Sequence, residues 1–145
     1  MSSAGDQLVA GRIPGERIAT ATETADSSTF TAETQIGSIT AALVSGRTYR
    51  VRCNASVGSS VNADTVLVRL REDNTSGTQI HINTGAVYTT GNIPVVIPVE
   101  AEFTAGSTGN KTFVVTAQRN SGTGNIRREA LSNWPQLFYV DYIRG

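Results

Sequence analysis

The chain has 145 residues, of which 39% are hydrophobic and 17% are charged. This length accommodates one domain with one core. The 12 basic and 12 acidic residues give a formal net charge of zero, which argues against nucleic acid or an anionic membrane as the partner, because both attract basic proteins. Thr, Ser, Gly and Asn supply much of the polarity, and this composition favours strands and turns over helices.

Cysteine and histidine each occur once, at Cys53 and His81. One cysteine cannot form an internal disulfide, and one residue of each type leaves too few ligands for a Cys/His metal site. A single histidine also gives little support for nucleophilic catalysis, and alternation predicts that His81 lies on the solvent side of a strand. We therefore expect no enzymatic activity, no metal and no cofactor.

Residues 1–10 have neither the basic start nor the apolar run of a secretory signal. No stretch approaches the roughly 20 apolar residues that a membrane-spanning helix requires. We therefore expect a protein that is made in a cytoplasm and has no membrane partner.

Residues 1–28 are predicted to form an extended N-terminal arm, separate from a domain over residues 29–145. Glycine and proline interrupt short apolar pieces, and few large side chains are present to offset the entropy of ordering. A disordered tail is one interpretation, since termini are often loose. The alternative is an arm that binds a neighbouring subunit, because four side chains are more apolar than a tail requires: Leu8, Val9, Ile13 and Ile18.

From residue 29 onward, apolar and polar residues alternate, which is typical of half-buried strands. Residues 73–77 (DNTSG) are turn formers and predict a hairpin between two such runs. The predicted inward-facing residues are Tyr49, Val51, Cys53, Ala55, Val66, Val68, Leu70, Ile80, Ile82, Val95, Ile97, Val99, Ala101 and Phe103. About eight strands at this spacing predict an all-β fold, an antiparallel jelly-roll-like β-sandwich.

Two strands have features that bear on packing. Pro94 and Pro98 predict that their strand begins at a sheet edge, because proline cannot donate a hydrogen bond to a ladder. The last strand carries apolar residues on both faces. We expect the face with Phe138, Val140 and Tyr142 to pack under an adjacent element or against another subunit.

Few polar or aromatic residues suggest a functional site. Glu100 and Glu102 share one strand face and could serve glycoside hydrolysis or bind calcium, but cross-strand charge pairs with arginine are the simpler explanation and the one we expect. Arg127 and Arg128 could bind an acidic patch on another protein or simply solvate a loop. Trp134 is either a lid on the core or, if exposed, an interface hot spot.

Four segments together resemble small β-rich virion proteins, of the minor tail or decoration type, from tailed phages that infect actinobacteria. They are residues 44–51 (VSGRTYRV), 68–73 (VRLRED), 109–116 (GNKTFVVT) and 139–145 (YVDYIRG). The resemblance extends from about residue 29 to the C-terminus. It implies a component of the phage particle without enzymatic activity, and it supplies no catalytic residues.

One arm and one sandwich suit a capsid decoration protein, and this is our leading hypothesis from the sequence. We expect a homotrimer or another small oligomer on the outer surface of the capsid, with each arm on major capsid protein or on a neighbouring copy. The alternative is a minor tail or fibre-tip protein that contacts the host surface, with carbohydrate as a candidate ligand. The aromatic residues available to bind sugar are Tyr88, Trp134, Tyr139 and Tyr142.

Overall fold

The computed structural model describes residues 13–87 and 94–145, and this part of the chain contains nine strands and no helix. The strands are β1 (Arg17–Glu23), β2 (Thr34–Leu43), β3 (Thr48–Ser59), β4 (Asp64–Glu72), β5 (Gln79–Val87), β6 (Val95–Thr104), β7 (Gly109–Ser121), β8 (Ile126–Arg128) and β9 (Gln136–Arg144). None of the described residues forms a helix that is long and apolar enough to cross a membrane.

Two antiparallel sheets form the sandwich. The first has the order β1-β9-β3-β6, with β8 paired to the end of β3, and the second has the order β2-β7-β4-β5. The pairings are nested about the β4–β5 hairpin: β3 pairs with β6, β2 with β7 and β1 with β9. The chain is therefore a long antiparallel ribbon rolled into two layers, which is a jelly roll. This confirms the predicted fold class.

The first strand lies inside the segment that was predicted to be an arm. β1 pairs with β9 from Arg17 opposite Asp141 to Glu23 opposite Gln136, and Ile18 packs against the core. The structure therefore differs from the predicted boundary after residue 28, because β1 is the outer strand of a sheet. Leu8 and Val9, two of the other three apolar residues of the predicted arm, lie outside the described residues.

The core lies between the sheets and contains most of the residues that were predicted to face inward. Tyr49, Val51 and Cys53 on β3 are at most 1% exposed. Phe103 and Phe113 bridge the layers with their rings edge to face and their centroids 5.0 Å apart. The predicted edge position of β6 is confirmed as well, because β6 pairs only with β3 among the described strands.

Near the start of β5, His81 and Ile82 point to the faces opposite to those predicted. His81 lies opposite the buried Leu70, and Ile82 lies opposite Arg69. His81 therefore faces the core side, whereas Ile82 is 40% exposed. The prediction was wrong here because a register shift follows Leu70, and a bulge of this kind breaks the two-residue alternation. Ile80, the remaining predicted core residue of this strand, does pack against the core.

The last strand is covered within the domain. β9 lies between β1 and β3, and Phe138, Val140 and Tyr142 are all buried. The rings of Tyr142 and Tyr49 lie 5.8 Å apart, centroid to centroid. Internal packing, rather than a contact with another subunit, therefore accounts for the apolar face of β9. Tyr142 is a core residue and is not available as a partner-binding residue.

Candidate functional site

An apolar cleft of about 420 Å³ opens on the outer face of the first sheet. Trp134 and Val96 are each 53% exposed there, more than the other large hydrophobic side chains of the described residues. Large apolar side chains that cluster on a surface mark contact sites. The described residues that line the cleft are Ser56, Pro94, Val96, Trp134, Pro135 and Leu137.

The backbone holds Trp134 in a tight turn. The Leu131 amide donates to the Trp134 carbonyl at 3.0 Å, and the Trp134 amide donates back to the Leu131 carbonyl at 3.1 Å. Pro135 follows directly and restricts the backbone of Trp134 to extended conformations. The backbone that carries the indole is therefore fixed by local hydrogen bonds before any partner binds.

Gln136 anchors the other end of this segment. Its side chain is 1% exposed, its Nε2 donates to the Ile36 carbonyl at 2.9 Å, and its Oε1 accepts from the Ser56 amide at 3.1 Å. One buried amide thus connects β9 to both β2 and β3. Gly37 leaves the necessary space, because a Cβ at this position would lie 2.8 Å from Nε2.

A second set of contacts fixes the chain before the Trp134 turn. The Glu129 amide donates to the Ser56 carbonyl at 3.0 Å, and the Ala130 amide donates to Asp26 Oδ1 at 3.1 Å. The Glu129 carboxylate packs over Gly58, where a Cβ would overlap it. The cleft therefore has a rigid frame, which reduces the entropy lost on binding.

Arg127 and Arg128 are engaged inside the domain. Arg128 donates to the Ile36 carbonyl at 2.8 Å and to the Ala25 carbonyl at 3.1 Å, and it lies 3.4 Å from a carboxylate oxygen of Glu23. Arg127 pairs with two carboxylates that belong to the same frame. These arginines fasten the segment after β1 to the sandwich and are poorly placed to bind an external acidic patch.

A band of charge pairs covers the same outer face next to the cleft. Arg50 and Arg52 lie 3.1 and 3.7 Å from oxygens of Glu100, and Arg144 lies 2.6 Å from an oxygen of Glu102. The hydrogen bond from Arg144 lowers the pKa of Glu102. The cross-strand pairing predicted for the two glutamates is therefore confirmed. Such exposed pairs stabilise a fold only weakly.

The remaining polar candidates do not form a reaction centre in the described parts of the chain. The Nδ1 atom of His81 accepts a hydrogen bond from the Glu100 amide at 3.2 Å, so His81 connects β5 to β6. Cys53 is fully buried, and burial raises its pKa. No group of three or more His, Cys, Asp or Glu residues within residues 13–87 and 94–145 could hold a metal ion.

Of the predicted partner-binding residues that the structure describes, two have well-exposed side chains. Trp134 lies in the cleft, and Ile13 is 47% exposed at the entrance to β1. The sequence analysis missed the contribution of Val96 and Leu137 to the cleft. The sequence could have indicated Val96 as a contact residue, since it is a large apolar residue at an outward position of an alternating strand.

No protein-family model and no curated protein matches the chain. Among solved structures, it is similar to the C-terminal domain of EclA, a sugar-binding protein, with 14% identity and a TM-score of 0.45 over 94% of this chain and 86% of that chain. It is also similar to the infectious bursal disease virus VP2 subviral particle, with 15% identity and a TM-score of 0.43 over 88% and 37% of the two chains. A third similar structure is the CBM22-1 xylan-binding domain from Paenibacillus barcinonensis Xyn10C, with 9% identity and a TM-score of 0.39 over 91% and 97%.

The chain spans 60% of the CBM4 chain to which it is also similar and 37% of the VP2 chain. Similarity at these identities and TM-scores does not define a function. The jelly-roll assignment therefore depends on the strand order of the chain itself.

Proposed function

We propose that this chain is a non-enzymatic structural protein of a phage particle that decorates the outer surface of the capsid as a small oligomer. The observation that carries the proposal is the half-exposed Trp134 ring in an apolar cleft with a rigid frame. Tryptophan is enriched among the residues that dominate protein interfaces. The resemblance of residues 29–145 to phage virion proteins supplies the setting, with major capsid protein as the partner.

The composition of the cleft favours a protein segment as its ligand. Its described lining is mainly apolar, and the one polar residue, Ser56, is 3% exposed. An apolar side chain of a partner would displace water from this surface without leaving polar groups unpaired. An array of identical contacts on a capsid lattice would then stabilise the particle through many weak interactions.

Binding to particles tests this proposal directly. Purified protein should co-sediment with capsids of the phage that encodes it, and Trp134→Ala should lower the affinity at least tenfold. Val61→Ala is the matched control, because Val61 is an exposed apolar residue that does not line the cleft. If Trp134→Ala bound as tightly as the wild type, the cleft would not be the contact.

The location on the particle needs a separate measurement. In a cryo-electron microscopy map of intact particles, regular density on the capsid lattice would support decoration. Density confined to the tail would overturn it and favour host contact.

The N-terminal arm is expected to contact major capsid protein or a neighbouring copy, and deleting residues 1–12 tests this contact. A longer deletion to residue 28 would remove β1 and one strand of the first sheet, so it would confuse unfolding with loss of binding. The shorter deletion keeps every described strand. If the shortened protein decorated particles as well as the full chain, residues 1–12 would not contribute to the contact.

A second candidate function is carbohydrate binding, and the exposed Trp134 ring is the observation that favours it. Of the other aromatic residues considered, Tyr142 is buried, Tyr139 lies under the Arg17 guanidinium at 3.7 Å, and Tyr88 lies outside the described residues. A glycan array distinguishes the two functions. Binding that disappears in Trp134→Ala would support the carbohydrate ligand.

A further inference from the structure

The outer face of the first sheet changes from apolar to charged along β3. The side chains of β3 that alternate with its core residues are, in order from the cleft, Ser56, Asn54 and Arg52. Ser56 lines the cleft, and Asn54 lies between Leu137 of β9 and Pro98 of β6. Arg52 comes next and begins the band of charge pairs. The apolar cleft and the charged band therefore meet within a few residues of one strand.

The charge band of this face contains one arginine more than it has carboxylates among the described residues. Three ion pairs are short: Arg17 to Asp141 at 2.9 Å, Arg50 to Glu100 at 3.1 Å and Arg144 to Glu102 at 2.6 Å. The fourth arginine, Arg52, lies 3.7 Å from Glu100, whose carboxylate is shared with Arg50. The band therefore has a net positive charge, and Arg52 is its least well neutralised group.

Arg52 makes its internal contacts through Nε. This atom donates to Asn54 Oδ1 at 3.3 Å and lies 3.7 Å from Glu100 Oε2. Within residues 13–87 and 94–145, no hydrogen bond joins an Nη atom of Arg52 to another residue, and its side chain is 48% exposed. Arg128, by contrast, is 15% exposed and donates to two backbone carbonyls. The two Nη atoms of Arg52 are therefore available to an external group, and their fork matches a carboxylate.

The Arg52 side chain leans toward the cleft, because its Nε donates to Asn54, which lies between Arg52 and Ser56 on the strand. At about 3.3 Å per residue, the Cα atoms of Arg52 and Ser56 are about 13 Å apart, and the lean of the side chain shortens this gap. Side chains on one side of an extended segment repeat about every 6.6 Å. A segment with one side chain against Trp134 therefore brings its next side chain on the same side near Arg52.

From this arrangement we infer that the protein segment bound by the cleft carries an acidic residue two positions from its apolar anchor, and that Arg52 is the residue that selects it. The carboxylate accepts hydrogen bonds from the two Nη atoms and neutralises the excess charge of the band. The apolar anchor supplies most of the affinity, and the arginine supplies specificity. The inference rests on the proposed function, because it names the chemistry of the segment that the cleft takes.

Removing the arginine tests the contact. With capsids of the encoding phage as the probe, Arg52→Ala in the full chain should lower the affinity about fivefold and should weaken the dependence of binding on NaCl concentration. Arg144→Ala is the matched control: it removes the same charge from the same band, but Arg144 pairs with Thr48, at the opposite end of β3 from the cleft. An Arg52→Ala variant that bound as tightly as the wild type would overturn the inference.

A substitution that should raise the affinity guards against effects of misfolding. Glu100→Gln removes the carboxylate that competes for Arg52, so binding to the same capsids should tighten about twofold to fivefold. A damaged fold does not produce such a gain. Glu102→Gln is the control, because it releases Arg144, which lies far from the cleft. Unchanged or weaker binding of Glu100→Gln would contradict the role of Arg52.

Selection from a random peptide library identifies the ligand without the phage. Peptides that bind the immobilised full chain should share an acidic residue two positions from an aromatic or aliphatic one. Arg52→Glu should instead select lysine or arginine at the acidic position, because the charge of the selecting residue is reversed. A consensus without an acidic residue at that spacing, or no enrichment at all, would overturn the inference.

Comparing Trp134→Ala with Arg52→Ala separates this inference from the proposed function. Loss of capsid binding in Trp134→Ala alone would keep the cleft as the contact and overturn the acidic partner. Unchanged binding in both variants would overturn the proposed contact and the inference together. Glycan binding that requires Trp134, with no peptide enriched, would make carbohydrate the ligand and overturn the inference.

Discussion

The Nδ2 atom of Asn83 donates to the Pro98 carbonyl at 2.8 Å, which connects the free edges of the two sheets. The Oδ1 atom of the same side chain accepts from the Thr84 amide at 2.9 Å. One amide thus satisfies a backbone acceptor on β6 and a backbone donor on β5. This explains why a polar residue occupies the core side of β5.

Replacing Asn83 should loosen this side of the sandwich. Asn83→Ala removes two hydrogen bonds to backbone groups, and we expect the free energy of unfolding to fall by about 1 kcal/mol, measured by urea denaturation. Asn120→Ala is the control, because Asn120 is an exposed residue that donates to the side chain of Thr65 and not to the backbone, so its loss should change stability much less. Equal effects of the two substitutions would contradict the bridging role.

Tyr142 should be essential for folding. Tyr142→Asp buries a charge and removes a ring that is 6% exposed beside Tyr49, so we expect a loss of about 4 kcal/mol or more. Circular dichroism and thermal unfolding should show no cooperative transition. Tyr139→Asp, on the outer face of the same strand, should remain folded. A soluble, folded Tyr142→Asp monomer would contradict internal packing.

Asp64 should make the fold sensitive to acid. Its carboxylate accepts hydrogen bonds from Ser59 Oγ at 2.7 Å and from the amides of Gly124 at 2.8 Å and Thr123 at 3.2 Å. The bond from Ser59, supported by the two amides, lowers the pKa of Asp64. A lowered pKa stabilises the fold above the pKa of the unfolded chain, about 3.9, and this contribution disappears as the pH falls below it.

The corresponding measurement is urea denaturation of Asp64→Asn between pH 7 and pH 2. The variant should be less stable than the wild type at pH 7, and the difference should shrink as the pH falls below about 4. Asp73→Asn is the control, since the Asp73 side chain is 59% exposed and should leave the pH dependence almost unchanged. A difference that did not vary with pH would contradict a role for the charged carboxylate.

Cys53 should be unreactive in the folded protein. It is fully buried, and burial raises its pKa, so the thiolate that reacts with thiol reagents is scarce. A thiol reagent should therefore label Cys53 only in denaturant or through rare opening of the sandwich. Rapid labelling of the native protein would show that β3 is exposed far more often than the core packing predicts.

The binding site was less predictable than the fold. Trp134 could be identified from the sequence as an interface candidate, but its cleft joins the strands β3, β6 and β9 with the turn before β9. The sequence left open whether Arg127 and Arg128 lie in solvent. The structure shows that their guanidinium groups bind internal acceptors. Long side chains have many rotamers, and their partners depend on which distant segments the fold brings near.

The sequence by itself determined the all-β fold class, the β4–β5 hairpin, the edge position of β6 and the residues of β3 that face the core. Each follows from local chemistry: side-chain alternation, turn-forming residues and the missing donor of proline. The tertiary structure alone decided that β1 belongs to the sandwich and that His81 faces inward. The first depends on a partner strand distant in sequence, and the second depends on the register within the β4–β5 hairpin, which side-chain alternation does not reveal. β1 is a short run whose stability comes from pairing with β9, and the face of His81 follows from a bulge in its register with β4.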